Sequence, residues 1–192
     1  GSFQYLAEFG VEWFRMSRII KAPERYLTGA RGADRLHKAL ENQRGAILLV
    51  THTGNWEVLA LAAGLFLAQP AGTVIHALAR PLRNPYFYRR VVRLRGGTGL
   101  WTIDKAGAVR ETFRCLKKNQ IVCMLVDQRV SEGSVEVNFF GRPALTTTLP
   151  ALSALRFGAP VFFLFLARTP DARFVLNVEG PVPIESTGDA QR

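Results

Sequence analysis

The chain of 192 residues has few cysteines and no long apolar run. Its two cysteines, Cys115 and Cys123, exclude a disulfide scaffold and a four-cysteine zinc site, and they favour a reducing compartment. The longest apolar run, Val58–Ala68, has 11 residues, which is too short for a helix that spans a bilayer. Because 48% of the residues are hydrophobic, the chain can still build a sizeable core.

Acidic residues are also missing from one long stretch of the sequence. Between Glu57 and Asp104 there is no aspartate or glutamate, and the stretch contains Arg80, Arg83, Arg89, Arg90, Arg93 and Arg95. Over the whole chain the net charge is +10, and most of the basic residues are arginines. The guanidinium fork suits phosphate and carboxylate groups. We therefore expect an anionic partner, namely nucleic acid, an acidic protein or anionic lipid; a solvated basic face is the alternative.

Hydrophobic periodicity predicts alternating strands and helices. Helices are predicted at Phe3–Lys21, Ala33–Asn42, Trp56–Ala68, Pro85–Leu94, Ala106–Lys118 and from Pro143 to about Phe157. Strands are predicted at Ala46–Thr51, Thr73–Ala79, Leu100–Ile103, Ile121–Val126, Val161–Ala167 and Phe174–Val178. This alternation predicts an α/β fold with a central mixed, mostly parallel sheet flanked by helices. We expect one domain over residues 1–192, with an amphipathic helical segment at 1–32 and the core at 33–180.

The candidate site follows the first predicted buried strand. His52 is expected on the loop after this strand and Glu57 in the first turn of the next helix, at the strand end where α/β proteins bind ligands. If the Glu57 carboxylate contacts one ring nitrogen of His52, the other nitrogen can accept a proton from a substrate hydroxyl. Two structural alternatives remain: His52 could satisfy a backbone carbonyl, and Glu57 could interact with the helix dipole.

Motifs for other chemistries are missing from the sequence. There is no P-loop, no G-x-G-x-x-G after a strand, no cluster of histidine and cysteine ligands and no G-x-S-x-G elbow. We therefore expect no metal, nucleotide or flavin cofactor. An acyl-enzyme route of the hydrolase kind is not expected either.

At this point the sequence resembles a known family. His52-Thr-Gly-Asn-Trp-Glu57 resembles the H-x4-D/E motif of glycerolipid acyltransferases, in the form found in bacterial lipid A biosynthesis acyltransferases. Further similar segments follow in the same order, over about residues 34–168: Arg80-Pro81…Asn84, Val126-Asp127-Gln128-Arg129, Phe139-Phe140-Gly141-Arg142-Pro143 and Leu155…Gly158-Ala159-Pro160-Val161.

The resemblance implies roles for these residues. His52 would be the general base and Glu57 the residue that orients it. Arg80 and Arg129 would bind a substrate phosphate or the developing oxyanion, and the positions of Asn84, Arg142 and Asp127 imply further substrate contacts. For Asp127 a salt bridge to a neighbouring arginine is an open alternative.

The resemblance also implies partners and location. The donor would be acyl carrier protein or acyl-CoA, and the acceptor an anionic glycolipid, first of all a lipid A precursor, as in the lauroyl and myristoyl transferases of the family. The acyl transfer would take place at the membrane surface, on the cytoplasmic face of the inner membrane. Nucleic acid is not an expected partner. Two alternatives stay open: a lysophospholipid or phosphatidylinositol mannoside as acceptor, or a non-catalytic basic module that binds anionic lipid. We also expect a native N-terminal anchor and a C-terminal segment outside these residues.

Overall fold

The computed structural model describes residues 2–79, 84–104 and 107–184. Its helices are α1 (Ser2–Lys21), α2 (Ala33–Leu40), α3 (Trp56–Ala63), α4 (Pro85–Gly96), α5 (Ala108–Lys117) and α6 (Leu149–Phe157). Its strands are β1 (Leu27–Arg31), β2 (Ala46–Val50), β3 (Ile75–Ala79), β4 (Leu100–Asp104), β5 (Ile121–Leu125), β6 (Ser134–Phe139), β7 (Arg142–Thr147), β8 (Val161–Arg168) and β9 (Phe174–Glu179). Helix α3 continues as a π-helical segment, Gly64–Ala68. Within these described ranges, no helix has both the length and the hydropathy needed to cross a bilayer.

Seven of the strands form one sheet in the order β1-β9-β8-β2-β5-β3-β4. Strands β8, β2, β5, β3 and β4 run parallel to one another, whereas β9 runs antiparallel to β8, and β1 follows the direction of β9. This sheet confirms the predicted α/β class with a mixed, mostly parallel sheet. Since β2 and β5 are neighbours, the loops after these two strands leave the same edge of the sheet.

Apolar side chains cover both faces of the sheet. The central strand β2 reads AILLV without alternation, which is typical of a strand that helices cover on both sides. One cluster packs α1, α2 and α3 onto the sheet and includes Met16, Leu36 and Val58. A second cluster lies on the opposite face beneath α5 and α6 and includes Leu116 and Ala154. The two helical layers hold the central strands in place, and with them the loops at the strand ends.

One predicted helix is wrong in its first part. We predicted a helix from Pro143, but residues 142–147 form β7, which pairs antiparallel with β6, and α6 begins at Leu149. The threonines at the end of β7 are β-branched and favour a strand. The proline that marks the helix start is Pro150, which lies in the first turn of α6, where a missing N–H costs nothing.

Two further elements were not predicted from the sequence. Strand β1 pairs with β9 at the edge of the sheet, within the segment 1–32 that we expected to be helical. It is short and contains Gly29, which weakens the strand pattern. Strand β6 was also missed, and together with β7 it forms a separate two-stranded sheet.

Candidate active site

The centre of the site is a contact between His52 and Asp127. His52 follows β2 and Asp127 follows β5, the neighbouring strand in the sheet. The Nδ1 atom of His52 lies 2.7 Å from Oδ1 of Asp127, and the backbone N–H of His52 donates to Oδ2 at 2.6 Å. The carboxylate therefore holds the ring and the backbone of His52 at once, which fixes the orientation of the imidazole.

The protonation of the imidazole follows from this contact. Burial alone would raise the pKa of Asp127, but the hydrogen bonds from the ring and backbone of His52, together with the charge of the ring, outweigh it, and the pKa lies below its ordinary value. The stability that this contact contributes is therefore present above the ordinary pKa of aspartate and is lost as the pH falls through the lowered pKa. An ionised carboxylate only accepts, so Nδ1 carries a hydrogen, and in the neutral imidazole the lone pair is then on Nε2.

The open side of the imidazole is accessible to a substrate. The side chain of His52 is 31% exposed, and the side-chain amide nitrogen of Gln128 lies 3.5 Å from Nε2. The ring of Trp56 packs edge-on against the imidazole, with the centroids 5.3 Å apart. An oriented histidine with an accessible Nε2 can take a proton from a hydroxyl group.

Glu57 does not take the position that we expected. Its Oε1 atom accepts from Nη2 of Arg95 at 2.6 Å, and its Oε2 atom accepts from Nε of Arg95 at 3.1 Å. Glu57 lies in the first turn of α3 and Arg95 in the last turn of α4, and their side chains are only 11% and 17% exposed. A carboxylate buried between two helices needs a partner of opposite charge, and Arg95 supplies it. The expected contact between Glu57 and His52 is therefore wrong, and Asp127 occupies that place.

The loop between His52 and Glu57 is held by a helix cap. Asn55 is 3% exposed, and its Oδ1 atom accepts from the backbone N–H groups of Glu57 and Val58, both at 3.1 Å. Its Nδ2 atom donates to Glu12 of α1 at 2.8 Å. Glu12 in turn accepts from Arg168 at the end of β8. These hydrogen bonds thus connect the loop that carries His52 to helix α1 and, through Glu12, to strand β8 of the sheet.

Replacing Asn55 with alanine is expected to lower the free energy of unfolding by about 1–2 kcal/mol, because two backbone donors at the start of α3 lose their acceptor. Asn55→Ser is the matched control, since serine keeps a capping oxygen but cannot reach Glu12. Urea denaturation measures both variants. If Asn55→Ala is as stable as the wild type, the cap is not what holds this loop.

The remaining predicted site residues are not all brought together. Arg129 lies two residues after Asp127 on the same loop and is exposed, whereas Arg142 is exposed at the turn between β6 and β7. Within the described residues, neither arginine has an ion pair. Asn84 accepts from the backbone N–H of Tyr86 at 3.0 Å at the start of α4. Arg80 lies outside the described residues.

Within the described residues, Asp127 has no salt bridge to an arginine, which was the alternative interpretation of this residue. Its described polar contacts are those with His52. The positive charge of the arginine-rich stretch is also less free to bind an anionic partner than the sequence indicates. Arg95 is neutralised by Glu57, and Arg90 lies over the ring of Trp13, 5.3 Å from its centroid.

Neither cysteine can act as a nucleophile. Cys115 and Cys123 are both buried, and burial raises the pKa of both thiols, that of Cys123 to about 12. A thiol must lose its proton to attack a carbonyl, so these two buried side chains are fillers of the core.

Sequence reasoning missed three residues that hold the site. Asn55 has a local signal, since an asparagine directly before an apolar helix is a typical N-cap. Glu12 and Arg95 have none, because they are 43 and 38 residues away from the partners that they contact. Only the packing of α1 and α4 against α3 places them there.

Comparison with known proteins identifies relatives along most of the chain. The family described as bacterial lipid A biosynthesis acyltransferase matches residues 3–192. The chain is 33% identical over 132 residues to the phosphatidylinositol mannoside acyltransferase of Mycobacterium tuberculosis, which covers 67% of this chain and 40% of that protein. It is 32% identical over 133 residues to the protein of the same name from Mycolicibacterium smegmatis, covering 67% of this chain and 42% of that protein. The chain thus matches about two fifths of the length of these relatives.

Proposed function

The chain belongs to the bacterial lipid A biosynthesis acyltransferase family, and we propose that it transfers a fatty acyl chain from a thioester to a hydroxyl of an anionic glycolipid. The observation that supports this proposal is the contact between His52 and Asp127 at the ends of β2 and β5. It leaves Nε2 of an accessible imidazole as a proton acceptor, which is what the activation of a hydroxyl requires.

In the proposed reaction His52 is the general base. Its Nε2 atom takes the proton of the acceptor hydroxyl while the hydroxyl oxygen forms a bond to the thioester carbonyl carbon. When the tetrahedral intermediate collapses, the carbon–sulfur bond breaks, and the imidazolium returns the proton to the departing sulfur. An ester and a thiol are formed, so no oxidant or further co-reactant is needed.

Asp127 has the second role in this proposal. Its carboxylate accepts from Nδ1–H and stabilises the positive charge that appears on the ring when Nε2 takes the proton. Glu57, for which the sequence predicted the role of orienting His52, supports the site indirectly. It fixes Arg95 between α3 and α4, next to the loop that carries His52.

Arginines near the site are proposed to bind the anionic part of the acceptor. Arg129 is on the loop of Asp127 and is exposed, so its guanidinium can form paired hydrogen bonds to a phosphate. Arg80, Asn84 and Arg142 remain proposed substrate contacts on the strength of the family resemblance. Because such an acceptor is a membrane lipid, we propose that the enzyme works at a membrane surface, in bacteria the cytoplasmic face of the inner membrane.

The relatives indicate which acceptor to test first. The curated relatives are phosphatidylinositol mannoside acyltransferases, and their acceptor class is the alternative that the sequence left open. We therefore propose a phosphatidylinositol mannoside as the first candidate. A lipid A precursor is the second candidate, because the description of the family favours it. The donor is proposed to be acyl carrier protein or coenzyme A.

Acyl transfer from radiolabelled acyl thioesters of carrier protein and of coenzyme A tests this proposal. The acceptors are phosphatidylinositol mannoside, a lipid A precursor and lysophosphatidic acid, each in detergent micelles. We expect label on phosphatidylinositol mannoside with the wild type and none with His52→Ala. Label on lysophosphatidic acid alone would overturn the glycolipid assignment.

A non-catalytic basic module would behave differently in the same experiment. It would label no acceptor, and it would bind anionic vesicles in a salt-sensitive manner that His52→Ala leaves unchanged. That result would contradict the proposed transferase activity.

A further inference from the structure

The hairpin of β6 and β7 presents an apolar face that is left uncovered by the other helices and strands of the described residues. Strand β6 is exposed from Val135 to Phe139, and its side chains alternate between two faces of the hairpin. One face carries Val135, Val137 and Phe139, opposite Thr146, Ala144 and Arg142 on β7. These three apolar residues of β6 are 51%, 39% and 63% exposed, in chain order.

The tip of the hairpin holds a phenylalanine in a conformation that disfavours it. Phe140 has φ = 52° and Gly141 has φ = 77°, which is the pattern of a two-residue type I′ turn. Asparagine, aspartate or glycine is usual at the first of these positions, and a bulky residue with positive φ is a conformational outlier. Phe140 is nevertheless 91% exposed, and its ring contacts that of Phe139 edge-on, with the centroids 4.7 Å apart. Packing inside the described part of the protein therefore gives no reason for a phenylalanine at this position.

We propose that the tip of this hairpin inserts into an anionic lipid bilayer, with Phe139 and Phe140 among the acyl chains and Arg142 at the phosphates; this role for Arg142 replaces the substrate contact that the family resemblance implies. This choice of occupant rests on the proposed function, whose acceptor is a membrane lipid. The only charged side chain on the apolar face is Arg142, paired across from Phe139. Aromatic rings beside a basic residue suit the boundary between acyl chains and headgroups.

Charge supports a bilayer over the other occupants. The chain carries a net charge of +10, which attracts an anionic lipid surface and repels a second copy of the same chain. An acidic carrier protein would bind through the arginines, and such an electrostatic contact does not require two adjacent exposed phenyl rings. Glu136 lies on the opposite face of the hairpin, so the inserted face has no carboxylate.

The position of the hairpin explains what insertion would achieve. Strand β6 begins seven residues after Asp127 and leaves the sheet by the loop that also carries Arg129. Six-residue strands are about 20 Å long, so the tip can anchor the protein at a distance from the sheet. Because the hairpin follows the loop of Asp127 directly, insertion of the tip would keep that loop within a few tens of ångströms, roughly one hairpin length, of the membrane that holds the acceptor.

A fluorescent label at the tip tests the insertion directly. The two native cysteines are buried, so an environment-sensitive thiol probe can be attached selectively to Phe140→Cys, and to Val109→Cys on α5 as the control. With vesicles of phosphatidylcholine and phosphatidylinositol we expect a blue-shifted, brighter emission for the label at position 140 and no change at position 109. If the vesicles sediment the protein while the label at 140 stays unchanged, the hairpin does not insert. A response to protein concentration without vesicles, or to carrier protein alone, would also overturn the proposal.

A substitution separates membrane binding from catalysis. Asparagine suits the first position of a type I′ turn, so Phe140→Asn removes the ring without disturbing the hairpin. We expect it to weaken vesicle binding about tenfold and to leave acyl transfer in detergent micelles unchanged. Trp101→Ser, which removes another exposed aromatic ring on β4, should bind vesicles like the wild type. Wild-type affinity of Phe140→Asn would overturn the insertion, whereas absence of transfer by the wild type in detergent would overturn the proposed function.

Discussion

Replacing His52 with alanine is expected to lower the rate of acyl transfer by at least about 10³-fold, because the acceptor hydroxyl loses the group that removes its proton. The fold should be retained, since the imidazole is one third exposed and its described contacts are with the loop of Asp127 and with Trp56. Single-turnover transfer measured with a saturating acceptor checks the chemical step. Circular dichroism on the same sample checks that the protein is folded.

Asp127→Asn is the informative partner of that experiment. Asparagine keeps the size of the side chain but can no longer neutralise the imidazolium or require the hydrogen on Nδ1, so we expect a loss of about 10²- to 10⁴-fold. If the two residues act as one unit, adding Asp127→Asn to His52→Ala should cause almost no further loss. If the double variant loses the product of the two single losses in transfer rate, the two residues act independently. That result, or a wild-type rate for Asp127→Asn, would contradict the proposal that His52 and Asp127 act as one unit.

Local sequence patterns predicted the layers of the fold well. The run AILLV in β2 and the run IVCML in β5 are apolar without interruption, so their burial in the middle of the sheet could be predicted. Strand β6 has a different pattern, in which Glu136 and Asn138 alternate with apolar residues. This alternation is typical of a strand with one apolar face, so β6 was missed although its pattern is present in the sequence. Pro143 then favoured the wrong element, since a proline can begin a helix or lie in an edge strand.

In the candidate site, the sequence predicted the position of a residue better than its contacts. The position of His52 followed from the strand end before it, but its partner did not. Glu57 is five residues away in the sequence, whereas Asp127 is 75 residues away and reaches His52 because β2 and β5 are neighbours in the sheet. A pattern within a few residues reports what a helix or strand can do locally, and it cannot report which strands are adjacent. The predicted contact between Glu57 and His52 was therefore wrong, although Glu57 and Asp127 were both identified as candidate site residues.

Removal of the Glu57 carboxylate is expected to destabilise the protein much more than removal of the Asp127 carboxylate. Glu57→Ala should lower the free energy of unfolding by about 3–5 kcal/mol, because it leaves the charge of the mostly buried Arg95 guanidinium without a carboxylate, with only the hydroxyl of Thr102 at 3.4 Å among its described hydrogen-bond partners. In a domain of this size that corresponds to a decrease in Tm of roughly 10 °C. Asp127→Ala is the matched control: the side chains of Asp127 and His52 are each 31% exposed, and we expect a cost of at most about 1 kcal/mol. Thermal denaturation followed by circular dichroism measures both.

A double variant tests the reason for the loss. In Glu57→Leu combined with Arg95→Met both charges are removed and apolar side chains fill the space between α3 and α4, so most of the lost stability should return. If Glu57 instead owed its burial to an unseen contact, the double variant would stay as unstable as Glu57→Ala. A Tm of Glu57→Ala equal to that of the wild type would show that the ion pair with Arg95 contributes nothing. In that case the contact with Arg95 could not be what holds α3 and α4 together beside the loop of His52.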